Sequence, residues 1–175
     1  MKKKELKDFS AKIKVVGVGG GGGNAISRMQ DDIQVRGIDF IAINTDAQDL
    51  EYCNAKNKIH IGKNLTRGLG TGMNPEVGRQ AAEENRSEIA EAIKDADLVF
   101  ITAGLGGGTG SGASPVIAEA AKESGALTIA VVTRPFGFEG AQRNRIANEA
   151  LIKLKEKVDT VIVIPNDRIF SVIKK

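Results

Sequence analysis

The sequence predicts an α/β fold, a doubly wound and mainly parallel sheet, and three observations carry that prediction. Short apolar runs alternate along the chain with stretches of helical period. Two glycine-rich runs each follow an apolar run and lead into a helical one, and helix start and stop signals stand where the alternation needs them. With 41% apolar and 27% charged residues in 175, there is material for one globular domain with a sizeable core.

The net charge of +3 is concentrated at the ends, in Met1 to Lys7 and in Lys174-Lys175. Residues 1–12 are therefore read as a basic, solvated tail and 13–175 as the domain. Strands are expected near Ile13–Val18, Ile38–Ile43, Lys58–Ile61, Leu98–Thr102, Leu127–Thr133 and Thr160–Ile164. The first runs into Gly19 to Gly23 and Asn24 before a helix from Ala25. Asn64 to Asn74 has no clear period, which suits either a functional loop or an ordinary surface one. Asn74-Pro75-Glu76 then starts a helix, with Asn as cap, Pro at the first helical position and Glu complementing the dipole. Val77, Ala81, Ala82, Ile89 and Ile93 give that single helix its apolar face. The fourth strand delivers Gly104 to Gly112, followed by a helix from Ala113 that stops at a left-handed cap at Ser124-Gly125. A last helix fills Gln142 to Lys157, with Ile146, Ala150, Leu151 and Leu154 on one face.

Chemistry concentrates in the glycine runs. Glycine admits positive φ and lets backbone N–H groups turn inward, so each run is expected to form an anion cradle at a helix N-terminus. Gly17, Gly19 and Gly22 satisfy G-x-G-x-x-G, a match that alone suits a dinucleotide as well as any phosphate ligand. Two cradles can grip one polyphosphate from two sides. No G-x-x-x-x-G-K-[ST] string occurs, which excludes the lysine-bearing phosphate loop. Cys53 is the only cysteine and His60 the only histidine, so an internal disulfide and a cysteine-built metal site are excluded and zinc is not expected. His60, between Ile59 and Ile61, reads as a solvent-facing strand residue, which leaves no serine triad. Aromatics at 4% and the absence of Trp argue against nucleic-acid binding. No apolar run has membrane-spanning length and no signal pattern follows the N-terminal lysines, so a cytoplasmic setting without membrane insertion is expected.

Gly104–Gly112 resembles the tubulin signature G-G-G-T-G-[ST]-G, and the chain is similar to the N-terminal, GTP-binding half of the cell-division branch of the tubulin/FtsZ family. GVGGGGGNA from Gly17, NTDAQ from Asn44, LTRGLG from Leu65, NPEVGR from Asn74, VTRPF from Val132, FEG from Phe138 and VIPNDR from Val163 carry the resemblance in order. It implies a Rossmann-like domain that binds GTP or GDP, with Mg²⁺ carried by the nucleotide phosphates. It further implies that Gly20, Gly21, Gly22, Gly23 and Asn24 form the first phosphate loop and that Gly107, Gly108, Thr109 and Gly110 wrap the phosphates. Asn44 and the loop Gly70 to Asn74, with Gly72, would lie near the γ-phosphate. Glu139 and Arg143 match ribose and phosphate contacts with Thr133 close by, and Asn166 matches the guanine reader. From spacing alone, Glu139 and Arg143 are equally an exposed i,i+4 ion pair worth about 0.3–0.5 kcal/mol.

Thr71 and Met73 depart from the small residues the family more often has in its γ-phosphate loop, and Ser111 replaces a threonine. The family also continues past the position of Lys175 into a central helix and a second domain, which bring an acidic guanine contact and the acids that position water in the next subunit. The resemblance thus implies head-to-tail filaments and other division proteins as partners, acting at the division site. The chain alone is expected to bind nucleotide, hydrolyse it slowly, and expose an apolar face able to drive a non-native dimer. Two other readings remain at this stage. One is the NAD-binding domain of a dehydrogenase, using Asp46 as ribose acid, and the other a non-catalytic filament-capping fragment.

Overall fold

The computed structural model describes residues 11–32 and 37–172. Six parallel strands form one sheet in the order β3-β2-β1-β4-β5-β6. They are β1 Ile13–Val18, β2 Ile38–Asn44, β3 Asn57–His60, β4 Leu98–Gly104, β5 Leu127–Arg134 and β6 Thr160–Pro165. The register sets Ile13 beside Ile38 on one side and Leu98 on the other, so strand ends that follow one another in space also end at one level. All six expected strands are present, and β4 runs two residues further than its apolar pattern, to Gly104.

Alternation along the strands makes two cores. Val16, Val18, Val99, Ile101, Ala130 and Val132 meet α4 Pro75–Glu84, α5 Arg86–Ile93, α6 Gly108–Glu123 and α7 Ala141–Lys155. Val15, Phe40 and Ala42 meet α1 Gly19–Asp32 and α2 Ala47–Tyr52 through Ile26 and Leu50. Each fully buried Ile or Leu contributes about 1.5–3 kcal/mol of transfer free energy, so Ile101, Ile117 and Leu154, all at 0% exposure, anchor the larger layer. Leu127, Ile162 and Ile164, on the α1 side of β5 and β6, remain 43–53% exposed. That is the apolar face the sequence led us to expect. No helix of the described residues is long and apolar enough to cross a membrane.

Three helix boundaries differ from expectation. α1 starts at Gly19 and α6 at Gly108, so the glycine runs are the helices' own first turns and not loops ahead of them. The single helix expected after Asn74 is two, broken at Asn85, whose Oδ1 accepts the Gly62 N–H at 2.9 Å. The cap itself is as expected, Asn74 Oδ1 accepting the Glu76 N–H at 3.0 Å. Gly125 ends α6 with φ of +85°. Residues 1–10 of the expected tail lie outside the described residues, while Lys12 N–H donates to Asp97 Oδ2 at 2.8 Å and so extends the start of β1 beside β4.

An ionic cluster ties the outer helices together. Arg86 on α5 reaches Glu119 and Glu123 on α6, and Lys157 just past α7 donates to Glu119. The Lys157 hydrogen bond, with Arg86 beside it, holds the Glu119 carboxyl below its ordinary value, and the Thr128 N–H with nearby Lys122 does the same for Asp159. A depressed folded-state pKa gives stability that is complete above the unfolded value, about 4, and is lost as pH falls through the folded value. Denaturation followed from pH 7 to pH 2 should therefore show an acid limb that is shallower in Glu119→Gln and Asp159→Asn, and an unchanged limb in both would contradict these assignments.

Candidate functional site

Chain order reverses between β1 and β4, the point at which open parallel sheets form their ligand crevice. β1 runs out into α1 and β4 into α6 by way of Leu105 to Gly107. The first amides of a helix have no intrahelical acceptor, and the helix dipole adds positive potential to them. Two such ends here stand side by side. A Cβ on Gly19 would lie 3.0 Å from Gly110 N, and one on Gly21 would lie 3.3 Å from Gly104 N.

The glycines serve close approach more than unusual backbone. Among Gly17–Gly23 and Gly104–Gly112, only Gly19 (φ 69°) and Gly106 (φ 107°) have positive φ. A Cβ on Gly22 would sit 2.5 Å from Thr102 O and 2.8 Å from Gly17 C, and one on Gly110 would sit 2.5 Å from Gly104 O. The G-x-G-x-x-G match is thus a packing device that seats α1 on β1 and β4, with Gly19 making the turn. Ser111 Oγ, accepting the Gly106 N–H at 2.9 Å, holds the second turn in the same way.

Between the two helix ends lies an open cleft of about 300 Å³. Gly20, Gly21, Gly107, Gly108, Thr109, Gly110, Thr133, Glu139, Arg143 and Asn166 line it. The remaining predicted residues are placed elsewhere. Gly22, within α1, is buried where that helix packs on β1 and β4, and Gly23 packs on Cys53. Asn24 and Asn44 border a separate cavity of about 70 Å³ together with Asp49. Gly72 is exposed, with nothing within 4 Å of its Cβ position. Gly19, Thr71, Gly104, Leu105 and Pro135 also line the cleft; they belong to the expected stretches but were not given individual ligand roles. Thr71 gets there because Gly108 has no side chain, a Cβ on Gly108 lying 2.7 Å from Thr71 Cβ. The loop from Arg67 to Met73, with positive φ at Arg67, Gly68, Gly70, Gly72 and Met73, folds onto the start of α6 by that contact.

The far rim is built by two 3₁₀ turns, Gly137–Glu139 and Asn166–Arg168. Glu139 Oε1 accepts the Phe136 N–H at 2.9 Å and Oε2 accepts from Arg143 Nη1 at 2.8 Å, so the carboxylate closes its own turn and aims the guanidinium. Asp167 Oδ1 accepts the Gly137 N–H at 3.1 Å and ties the turns to each other. Asn166 faces the cleft with its side-chain amide unengaged among the described residues.

At the end of β2 the side chains hold backbone. Asn44 Oδ1 accepts the N–H groups of Thr45 and Asp46, and Asp46 Oδ1 caps α2 through Gln48 N and Asp49 N at 3.0 and 3.1 Å. Asp46 is thus occupied as a helix cap, which leaves the ribose-acid reading without support. His60 is not solvent-facing as its strand alternation suggested. It is half-buried, with Nε2 3.3 Å from the Thr45 carbonyl oxygen. A larger groove of about 460 Å³ runs between α4, α6 and α7, away from the strand ends. No group of three or more His, Cys, Asp or Glu able to hold a metal exists among the described residues.

Residues 12–174 match the model of the Tubulin/FtsZ family, GTPase domain. An FtsZ of M. jannaschii, solved as an empty dimer, is 52% identical with a TM-score of 0.93, over 97% of this chain and 49% of that one. CetZ2 from Haloferax volcanii, solved as a GTPγS-bound protofilament, is 30% identical with a TM-score of 0.83, over 89% of this chain and 49% of that one. CetZ1 from the same organism, a GDP-bound monomer, is 29% identical with a TM-score of 0.83, over 89% and 51%. The chain spans about half the length of these relatives. The matches give no support to a dehydrogenase.

Proposed function

Because the chain belongs to the Tubulin/FtsZ family and matches its GTPase domain across residues 12–174, we propose that the cleft between α1 and α6 binds GTP and GDP. The observation that carries this is the pair of glycine-built helix N-termini standing side by side at the switch point, a site for successive phosphates of one ligand. The amides of Gly20, Gly21, Gly107, Gly108, Thr109 and Gly110 take the phosphates, with the Thr109 hydroxyl as an added donor. Arg143, aimed by Glu139, takes a phosphate or ribose oxygen, Thr133 borders the ribose, and the Asn166 amide reads the base. The loop carrying Thr71 and Gly72 lies where a terminal phosphate would emerge and so distinguishes GTP from GDP. Mg²⁺ is assigned to the phosphates: among the described residues Glu139 is the one carboxylate lining the cleft, and both its oxygens are already engaged.

In the longer relatives of this architecture we place hydrolysis at a head-to-tail contact that positions water against the terminal phosphate, with charge stabilised by the helix ends and no covalent intermediate. Such a contact does not close and yields open filaments, the form expected of a division-ring protein at a cytoplasmic division site. By itself the 175-residue chain is expected to turn over GTP slowly.

Thermal unfolding provides the test. A ligand that binds only the folded state at a hundred times its Kd adds about 2.7 kcal/mol, so GDP with Mg²⁺ should raise the midpoint by several degrees while ADP leaves it in place. Equal shifts with GDP and ADP would contradict guanine selectivity, and no shift with either would contradict nucleotide binding.

A further inference from the structure

Thr45 follows β2 directly and is 0% exposed. Its backbone is fully engaged: the N–H donates to Asn44 Oδ1 at 2.8 Å, and the carbonyl accepts from Thr66 Oγ1 at 3.2 Å. Its hydroxyl has one partner among the described residues, Thr109 Oγ1 at 2.7 Å. Thr109 stands in the first turn of α6, 9% exposed, at the wall of the cleft.

Two hydroxyls sharing one hydrogen bond can orient either way, and burial decides between them here. Were Thr109 the donor, the Thr45 proton would be left in the interior without an acceptor, an arrangement the desolvation of a polar group disfavours. With Thr45 as donor its buried proton has an acceptor. The Thr109 proton is then turned away from Thr45, and the cleft is where an acceptor can reach it. We propose that Thr45 is a positioning residue, which fixes the Thr109 hydroxyl as a donor to a phosphate oxygen of the bound nucleotide. This rests on the nucleotide reading above.

The experiment is calorimetric titration of the chain with GDP and Mg²⁺, comparing Thr45→Val, Thr45→Ser, Thr109→Val and the Thr45→Val/Thr109→Val double variant. Thr45→Val keeps the volume and loses the donor, so affinity should fall about fivefold, the usual net effect of one hydrogen bond. Thr45→Ser keeps the donor and should bind within about twofold of the unsubstituted chain. In the Thr109→Val background, Thr45→Val should change nothing further. The proposal is overturned if Thr45→Val binds as the unsubstituted chain does, if Thr45→Ser loses as much as Thr45→Val, or if the loss persists in full without Thr109. Those results leave the nucleotide reading standing. An unsubstituted chain that binds no GDP removes both.

Discussion

Gly112→Ala is expected to lower stability by about 3 kcal/mol, the upper range for overpacking a filled core. A Cβ on Gly112 would collide with the Pro75 carbonyl oxygen and lie 2.7 Å from Arg79 N. Both neighbours are backbone of α4, so no side chain can swing aside to make room. Gly78 makes the reciprocal contact from α4, its Cβ position lying 2.5 Å from Gly108 O. Relief requires α4 and α6 to separate, which would open the layer that buries Ala81, Ala82, Ala113 and Ile117. Gly107→Ala is the comparison, since nothing lies within 4 Å of its Cβ position and its φ of −94° suits any residue. Its stability should stay within about 0.5 kcal/mol of the unsubstituted chain. Urea denaturation reads both, and a Gly112→Ala midpoint equal to that of Gly107→Ala would contradict the packing described.

The largest loss of ligand affinity is expected at Arg143. Its guanidinium is held at the cleft wall by Glu139 and remains 43% exposed, free to engage a second anion with its other N–H groups. Hydrogen bonds to charged groups contribute about 1.5–3 kcal/mol, so Arg143→Ala should weaken GDP binding by about ten- to a hundredfold. Arg145→Ala, on a side chain 74% exposed and outside the cleft lining, should leave binding unchanged. Equal affinities in the two variants would remove Arg143 from the site.

The strands were legible because β-branched runs of period 2 are read locally, and all six were placed within one or two residues at each end. The helix starts at Gly19 and Gly108 were not, since glycine has poor helix propensity and is held helical here by contact with neighbouring strands and loops. The break at Asn85 was hidden for a related reason: the apolar period runs through it, and the cause is a hydrogen bond to Gly62, distant in sequence. In the site, the glycine runs pointed to the two helix ends that the structure brings together, whereas Glu139, Arg143 and Asn166 on the far rim were expected from the family resemblance and not from their spacing. Neither separated residues that line the cleft, such as Gly20 and Gly108, from residues that hold it in shape, such as Gly22 and Asn44. His60 shows the same limit, because alternation gives the face of a strand but not what the adjoining loop places over it.

The most direct test is calorimetric titration of the nucleotide-stripped chain with GTP, GDP, ATP and NAD in the presence of Mg²⁺. The account predicts saturable binding of GTP and GDP at one site per chain and none of ATP or NAD, and binding of NAD without GTP or GDP would contradict it.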